Sequence, residues 1–451
     1  MKIRKIKWRD HPILGDLEID LKSPSGDTFD NIVFAGENGT GKTTILETIS
    51  NFLNIGSFEH FEYIEYAIGS DIFTAIPTTD DTTIKHFFDV MDSLGTIKRI
   101  RSDRSNNHQL LESDTTDLRH YGCVFSKARA DYKTQQIAST TTKQLDVEKY
   151  DIDQQDDFTS LKQLLVDIQN QDASDYIKLN MQLGQYPKSF AEFYPTSKIF
   201  RFKNAFNNFF EKIKYENIVD TPDEKQIMFN KNGKAISIDN LSTGEKQIVF
   251  RGCYLLKNIK KLNGAAIMID EPELSMHPKW QKEILKYYKE LFTENDIQIA
   301  QIFIATHSEY VVEEALSNRT SDLVIVLTEV DGNIIVKNIV APSVLPSITS
   351  AETNYLAFDI ASIDYHIELY GWLQQKESKD TIKSCDTFIT GHSLYVNTIH
   401  GKTSNHNATT YNTISTFIRN TINHPEPSRT YTEEELRIST ELLIKLCTNK
   451  A

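Results

Sequence analysis

Residues 36–43 read Gly36-Glu37-Asn38-Gly39-Thr40-Gly41-Lys42-Thr43, which fits the spacing G-x-x-x-x-G-K-[ST]. Glycines at these places let backbone N–H groups close around a β-phosphate, and a helix beginning there adds partial positive charge. Lys42 is placed to neutralise β- and γ-phosphate oxygens, and the Thr43 hydroxyl can ligate Mg²⁺. A second constellation is the apolar run Ala265-Ala266-Ile267-Met268-Ile269, which ends in Asp270-Glu271. In a phosphate-loop protein the first carboxylate holds Mg²⁺ through water and the second can activate the attacking water. A strand running into two acids is common by itself; beside a phosphate loop it acquires meaning. A third is Leu241-Ser242-Thr243-Gly244-Glu245-Lys246-Gln247, where Ser242 and Glu245 have the spacing of a helix-opening capping box.

The elements that must position these groups follow from periodicity. Ile32-Val33-Phe34-Ala35 suits a buried strand entering the phosphate loop, and Ile45, Leu46, Ile49, Phe52 and Leu53 recur at helical spacing after it. Before it, Ile3, Ile6, Trp8 and the alternating Leu17-Glu18-Ile19-Asp20-Leu21 predict strands, with a turn at Ser23-Pro24-Ser25-Gly26-Asp27. From 241 onward the pattern predicts helix to about 259, strand 265–269, helix 278–292, strand 299–305, helix 308–317 and strands 322–338. Such alternation predicts a parallel α/β core. Residues 58–240 are expected to form a helical insert, with helices near 158–171 and 198–215 and loops at the polar tracts 78–83 and 139–142. After Pro342 the chain turns helical and aromatic, ending in a helix at 432–447, and no internal repeat or sustained heptad is present.

The 451 residues are 39% hydrophobic and 25% charged, a globular balance that excludes a mostly disordered or fibrous chain. Lys plus Arg total 49 against 63 Asp plus Glu, and the net charge of -14 excludes coating of nucleic acid or anionic membrane by bulk charge. Cys123, Cys253, Cys385 and Cys447 form no C-x-x-C pair and read as thiols of a reducing compartment. The N-terminus lacks the apolar segment of a signal peptide, and no run reaches the roughly 18 apolar residues of a membrane span. A cytoplasmic location with no membrane contact is expected.

The motif at 241–247 also matches the LSxGE-[KR]-Q signature of ATP-binding-cassette (ABC) ATPases, and the chain resembles that family. Its phosphate loop, signature, Asp-Glu strand end, D-loop and switch histidine appear here in family order, with Glu273-Leu274-Ser275-Met276-His277-Pro278 as D-loop and Thr306-His307-Ser308 as switch. The resemblance implies ATP and Mg²⁺ as cofactors. Gly36, Asn38, Gly39, Gly41, Lys42, Thr43 and Thr44 would surround the nucleotide, Thr43 and Asp270 would hold Mg²⁺, and Glu271 and His307 would be general base and γ-phosphate sensor. It also implies that Ser242, Gly244 and Glu245 complete the site of the opposite subunit, so one phosphate loop and one signature call for a second copy. The Q-loop glutamine is not identified; Gln135, Gln136 and Arg129 are candidates, and an exposed loop is the other reading of that stretch.

Within the family, Glu37-Asn38-Gly39 and the basic start (Lys2, Arg4, Lys5, Lys7, Arg9) resemble the SMC-like and DNA-repair branch, although those charges also fit a solvated edge strand. No long coiled coil and no acidic nuclease constellation follows. Together with 271–278, the stretches Ser350-Ala351-Glu352-Thr353-Asn354-Tyr355 and 419–426 resemble compact anti-phage ATPases, above all the PtuA family of Septu systems, whose partner PtuB is an HNH nuclease. This implies a regulatory ATPase head built from 1–57 and 241–341, an insert at 58–240 and a C-terminal assembly region at 342–451. It also implies a homo-oligomer, an HNH nuclease partner, and DNA or RNA reached through the complex. Two rivals stand beside it. Arg419-Asn420-x-x-x-His424 fits the core of HEPN ribonucleases, which would make the chain a self-contained ATP-gated ribonuclease; partner docking or helix-end capping is the other reading. The second rival is an SMC-like DNA-repair ATPase. Under any of these readings the cluster Lys98, Arg99, Arg101, Arg104, Lys127, Arg129 and Lys133 offers a local contact for DNA or RNA, with exposed loop charges as the other reading.

Overall fold

The computed structural model describes residues 1–78, 86–102, 113–153, 157–184, 188–339, 344–406 and 408–448, in two compact units, Met1–Lys337 and Asn338–Ala451. Residues 79–83 of the polar tract, Arg104 of the basic cluster and Pro342 lie outside the described residues. In chain order the strands of the first unit are β1 (Lys2–Trp8), β2 (Glu18–Asp20), β3 (Asn31–Gly36), β4 (Phe61–Ile68), β5 (Asp71–Pro77), β6 (Phe87–Asp92), β7 (Ile97–Arg101), β8 (Cys123–Ser126) and β9 (Tyr150–Ile152). They continue with β10 (Ile213–Asp220), β11 (Lys225–Lys231), β12 (Lys234–Ser237), β13 (Ala266–Asp270), β14 (Thr293–Glu294), β15 (Ile297–Gln298), β16 (Gln301–Ala305), β17 (Asp322–Val330) and β18 (Asn333–Asn338).

Uninterrupted apolar runs become strands covered on both faces, as a parallel sheet demands. Every residue of β3, β13 and β16 is buried. These strands lie inside a seven-stranded sheet of order β18-β17-β3-β16-β13-β8-β9, in which the neighbours from β17 to β9 pair in parallel. Helices supply the crossovers: Lys42–Ile55 follows β3, Pro278–Leu291 joins β13 to β16, and Glu309–Ser317 joins β16 to β17. The residues that follow β3, β8, β13 and β16 therefore gather along one edge. Ala305 pairs with both Phe34 and Asp270, and Ser126 with Ile269. In open α/β sheets ligands bind outside that edge.

A second, antiparallel sheet of order β2-β1-β4-β5-β6-β7 forms the β-rich N-terminal edge. Ile3, Ile6 and Trp8 point into the core, and the cations between them stay partly exposed. The helix Lys42–Ile55 places Ile45, Leu46, Ile49, Phe52 and Leu53 in a hydrophobic cluster shared with both sheets. Burial of each such side chain contributes about 1.5–3 kcal/mol by transfer, so the helix and the loop that opens it are firmly held.

The segment 58–240 is not the mainly helical insert that was expected. It holds β4–β7 and the three-stranded sheet β10-β11-β12 beside helices Asp157–Leu183 and Phe200–Phe209. Phe61-Glu62-Tyr63-Ile64-Glu65-Tyr66-Ala67-Ile68 is aromatic and β-branched, which suits a pleated surface better than a helix. The helix expected to reach 215 ends at Phe209, because Phe210 turns extended and Ile213 opens β10. Phe209, Phe210 and Ile213 keep helical spacing across that boundary, so periodicity alone runs past it.

The second unit is mostly helical, as expected, with Ser350–Phe358, Ile363–Lys376, Ile382–Gly391, Ile414–Asn423 and Glu433–Thr448 around a core that includes Leu369, Tyr370, Ile389 and Leu443. It also contains a hairpin that was not expected, β19 (Gly401–His406) with β20 (Thr409–Thr413). The chain is thus an α/β protein with a phosphate-loop core, a β-rich edge, an insert of helices and strands, and a largely helical C-terminal unit.

Candidate active site

The loop after β3 needs glycine where backbone meets backbone. At Gly36, φ is +136 and an added Cβ would lie 2.3 Å from the Leu327 carbonyl oxygen of β17. At Gly41, φ is +85; this residue caps the helix Lys42–Ile55 with no side-chain hydrogen bond, so the first-turn N–H groups keep their capacity for an anion. Asn38 and Gly39 are exposed at the loop tip, and Thr44 lies in the first turn of the helix. The Lys42 amine folds back to donate to the carbonyls of Gly36 (2.9 Å) and Glu37 (2.7 Å). Burial pushes its pKa down to about 8, partly offset by the carboxylates of Glu271 and Asp270.

Thr43 Oγ1 donates to the Asp270 carboxylate, 3.0 Å from one oxygen and 3.2 Å from the other. Burial raises the Asp270 pKa above the usual carboxylate range, a cost that a dication would relieve. A hydroxyl and a carboxylate side by side are hard oxygen donors and fit Mg²⁺. Beyond Asp270 the backbone turns sharply: Glu271 has φ of 43, and its N–H donates to the Ala305 carbonyl (2.9 Å). Its carboxylate lies 3.5 Å from His307 Nε2. Burial and the neighbouring Lys42 amine lower the His307 pKa, which favours a neutral imidazole. Lys42, Thr43, Asp270, Glu271 and His307 are therefore brought together at the edge that the parallel strands share.

The signature helix, Thr243–Leu256, opens with the capping box read from sequence: Glu245 N–H donates to Ser242 Oγ, and Ser242 N–H donates to Glu245 Oε2 (2.8 Å). Ser242 is exposed. Glu245 is buried, and its other oxygen accepts from Lys231 (2.6 Å). An added Cβ at Gly244 would meet the Ser275 carbonyl oxygen at 2.6 Å, so signature and D-loop of one chain touch. Both Gly244 and Glu245 are thus engaged within their own chain, and Ser242 is the member left facing outward.

Other candidates go elsewhere. Arg129 donates to the Asp153 carbonyl (3.1 Å) and pairs with its carboxylate. Gln135 is exposed, and its backbone bonds Thr159 and Lys162 of the helix Asp157–Leu183. No described hydrogen bond or ion pair joins either residue to the cluster above. Gln136 is exposed as well. In the second unit Arg419 donates to Asn420 Oδ1 (3.1 Å), and His424, just past the helix Ile414–Asn423, stacks on His406 with ring centroids 4.5 Å apart. The cations of β1 are matched one by one: Lys2 with Asp30, Arg4 with Glu65, Lys5 with Glu18, Lys7 with Glu62. In the second basic cluster Lys98, Arg99, Lys127 and Lys133 pair with Asp114, Asp89, Glu47 and Asp131.

Two further groups position the signature helix, and of these only Arg251 lies outside the motif read from sequence. Arg251, buried on the signature helix, donates to the carbonyls of Lys127 (2.6 Å) and Glu271 (3.3 Å). Gln247 of the same helix donates to the Pro272 carbonyl (2.8 Å). The available signal was an arginine inside an otherwise apolar stretch, Ile248-Val249-Phe250-Arg251-Gly252-Cys253.

Residues 125–312, from β8 through the helix after His307, match the family described as AAA ATPase domain. The chain is 34% identical over 110 residues to a protein of Vibrio cholerae serotype O1 biovar El Tor named "Retron Vc95 probable ATPase". That stretch is 22% of this chain, and the chain spans about a fifth (20%) of that relative's length. Among solved structures it is similar to the SMC head domain from Thermotoga maritima, with 12% identity, 76% of this chain and 100% of that chain covered, and a TM-score of 0.38. It is also similar to an SmcHead bound to the C-winged helix domain of ScpA, with 14% identity, coverage of 75% and 98%, and a TM-score of 0.42. By sequence, then, the part of the chain that carries the signature, Asp270, Glu271 and His307 is similar to an ATPase domain.

Proposed function

We propose that the chain is an ABC-type, SMC-like ATPase, resembling the PtuA family of Septu systems, that binds Mg-ATP between two copies and so regulates an HNH-type nuclease partner in anti-phage defence. The observation that carries this reading is the meeting of Lys42, Thr43, Asp270, Glu271 and His307 at one sheet edge, in a chain with one phosphate loop and one outward-facing signature serine. The match to an ATPase domain and the likeness to a retron ATPase support it.

In this mechanism the loop amides and Lys42 bind the β- and γ-phosphates. Thr43 and Asp270 would hold Mg²⁺, which when bound would neutralise charge on the phosphate oxygens. Glu271 takes a proton from water as its oxygen bonds to the γ-phosphorus and the bond to ADP breaks. The neutral His307 donates toward the γ-phosphate, and Ser242 of a second copy closes the site. ATP thereby joins two copies, and its loss changes the nuclease's access to DNA or RNA. Among the described residues no helix is long and apolar enough to cross a membrane, and all four cysteines are buried thiols. Both fit action in the cytoplasm.

The test is sedimentation of the purified chain with ATP and Mg²⁺ beside a phosphate-release assay. Glu271→Gln is expected to lower turnover at least ~100-fold while associated copies accumulate. Ser242→Arg is expected to abolish association and leave nucleotide binding by the single copy intact. Association that survives Ser242→Arg sinks the two-copy site. Labelled RNA checks the effector's place: cleavage by the chain alone, lost in His424→Ala, would put the nuclease in this polypeptide.

A further inference from the structure

Glu273 lies in the turn between β13 and the helix Pro278–Leu291, where a carboxylate would ordinarily be hydrated. Instead it is buried, and one of its oxygens, Oε1, accepts two hydrogen bonds from the turn that follows β16. Thr306 Oγ1 donates at 2.8 Å and the His307 backbone N–H at 2.7 Å. The other oxygen, Oε2, is buried with no hydrogen-bond partner among the described residues. No described lysine or arginine pairs with this carboxyl, and burial raises its pKa against the lowering effect of the hydrogen bonds from His307 and Thr306. Burial thus disfavours its charged form, and its Oε1 is the hub of a turn. It is not a counter-ion.

The turn is wrapped around that oxygen. Ser308 N–H donates to Thr306 Oγ1 (3.0 Å), and Ser308 Oγ donates to Gln281 of the following helix (2.7 Å). Gln281 in turn donates to the Met276 carbonyl (3.1 Å). Two turns from different crossovers are thus fastened at two points, by Glu273 and by Gln281. Holding the His307 N–H fixes the Cα from which the imidazole reaches Glu271. Neither carboxylate can shift far without moving the histidine.

We propose that Glu273 is a positioning residue for His307: it acts on the reaction through that imidazole, by accepting the two hydrogen bonds that set the Thr306–Ser308 turn. The proposal rests on reading this site as an ATPase site. Glu273 itself touches neither nucleotide nor metal in this scheme. Its role is geometric, so an amide should replace it and an alanine should not.

The experiment compares Glu273→Ala, Glu273→Gln, His307→Ala and the double variant Glu273→Ala/His307→Ala in the full chain. In Glu273→Ala, kcat for ATP hydrolysis is expected to fall about 10- to 100-fold with KM within about twofold, the usual scale for a displaced catalytic group. Glu273→Gln, which keeps the acceptor, should restore kcat to within about threefold of the wild type. The double variant should be no slower than His307→Ala alone. Histidine-labelled NMR of the nucleotide-free chain adds a readout independent of turnover: the His307 imidazole resonances should shift in Glu273→Ala and stay near wild-type positions in Glu273→Gln. If Glu273→Ala does not fold, Thr306→Val, which removes one of the two donors, should give a smaller kcat loss and imidazole shift of the same kind. A double variant slower than His307→Ala by the full single-variant factor overturns the proposal, as do unmoved His307 resonances. A wild-type chain that neither binds nor hydrolyses ATP would overturn the ATPase reading, and the NMR comparison would still decide what Glu273 does.

Discussion

Lys42 is a buried amine whose described hydrogen bonds go to carbonyl oxygens. Carbonyls satisfy its protons without cancelling its charge, so the native chain favours the neutral amine more than the unfolded chain does. Unfolded, the group titrates at the ordinary 10.5; folded, burial brings it to about 8. Between those values the unfolded chain binds more protons than the native one, so native stability rises with pH through that window, by about 1.4 kcal/mol per pH unit at most. Below 8 the penalty is fully present. Lys42→Met removes this dependence. Urea titrations of both proteins at pH 7.5 and 9.5, without nucleotide, should therefore show the wild type gaining on the variant at the higher pH. Equal changes in both would contradict the burial argument. The same residue was legible in sequence because phosphate binding requires a lysine at a set distance from glycines. Glu273 was not, because it acts on a backbone N–H and a threonine 33 residues away, and such a contact leaves no local pattern.

At the scale of elements, the signature helix is held against the strand ends by side chains that bond carbonyls. Arg251 reaches the carbonyls of Lys127 and Glu271, and so links the end of β8 to the turn after β13. Arg251→Met keeps much of the aliphatic stem and removes both bonds, leaving two carbonyls without that donor. Hydrogen bonds to charged donors contribute about 1.5–3 kcal/mol each, and the loss is expected at about 2–4 kcal/mol once neighbours relax. The urea midpoint should fall accordingly with an unchanged slope; a fall below about 0.5 kcal/mol would mean the clamp is not formed in solution. The helix itself was readable, since Ser242 and Glu245 mark its start, and so were β13, β16 and β17, whose both-face burial makes them continuous apolar runs. β4–β7 and β10–β12 were not readable. The β1–β4 and β10–β11 pairings carry register irregularities that interrupt the alternation, and Phe209, Phe210 and Ile213 counterfeit a longer helix.

For the whole molecule the decisive quantity is charge and where it is spent. The chain carries -14, and in the basic start the four cations of β1 are each paired with a carboxylate, three of these on the same sheet. Lys98, Arg99, Lys127 and Lys133 of the second basic cluster are likewise paired with aspartates and glutamates. Each such pair already holds the cation that a phosphate would need, and breaking it returns a carboxylate to face the polyanion. Counterion release, which drives non-specific binding, scales with the number of phosphates met by unspent cations, and these eight cations are already paired. Fluorescence anisotropy with a labelled duplex at 150 mM salt should therefore give a Kd weaker than about 10 µM for the nucleotide-free chain. Binding in the nanomolar range with a steep salt dependence would require these pairs to open, and would favour a repair-type ATPase that grips DNA itself. Weak binding that tightens only when a nuclease partner is added would instead locate the nucleic-acid contact on the partner.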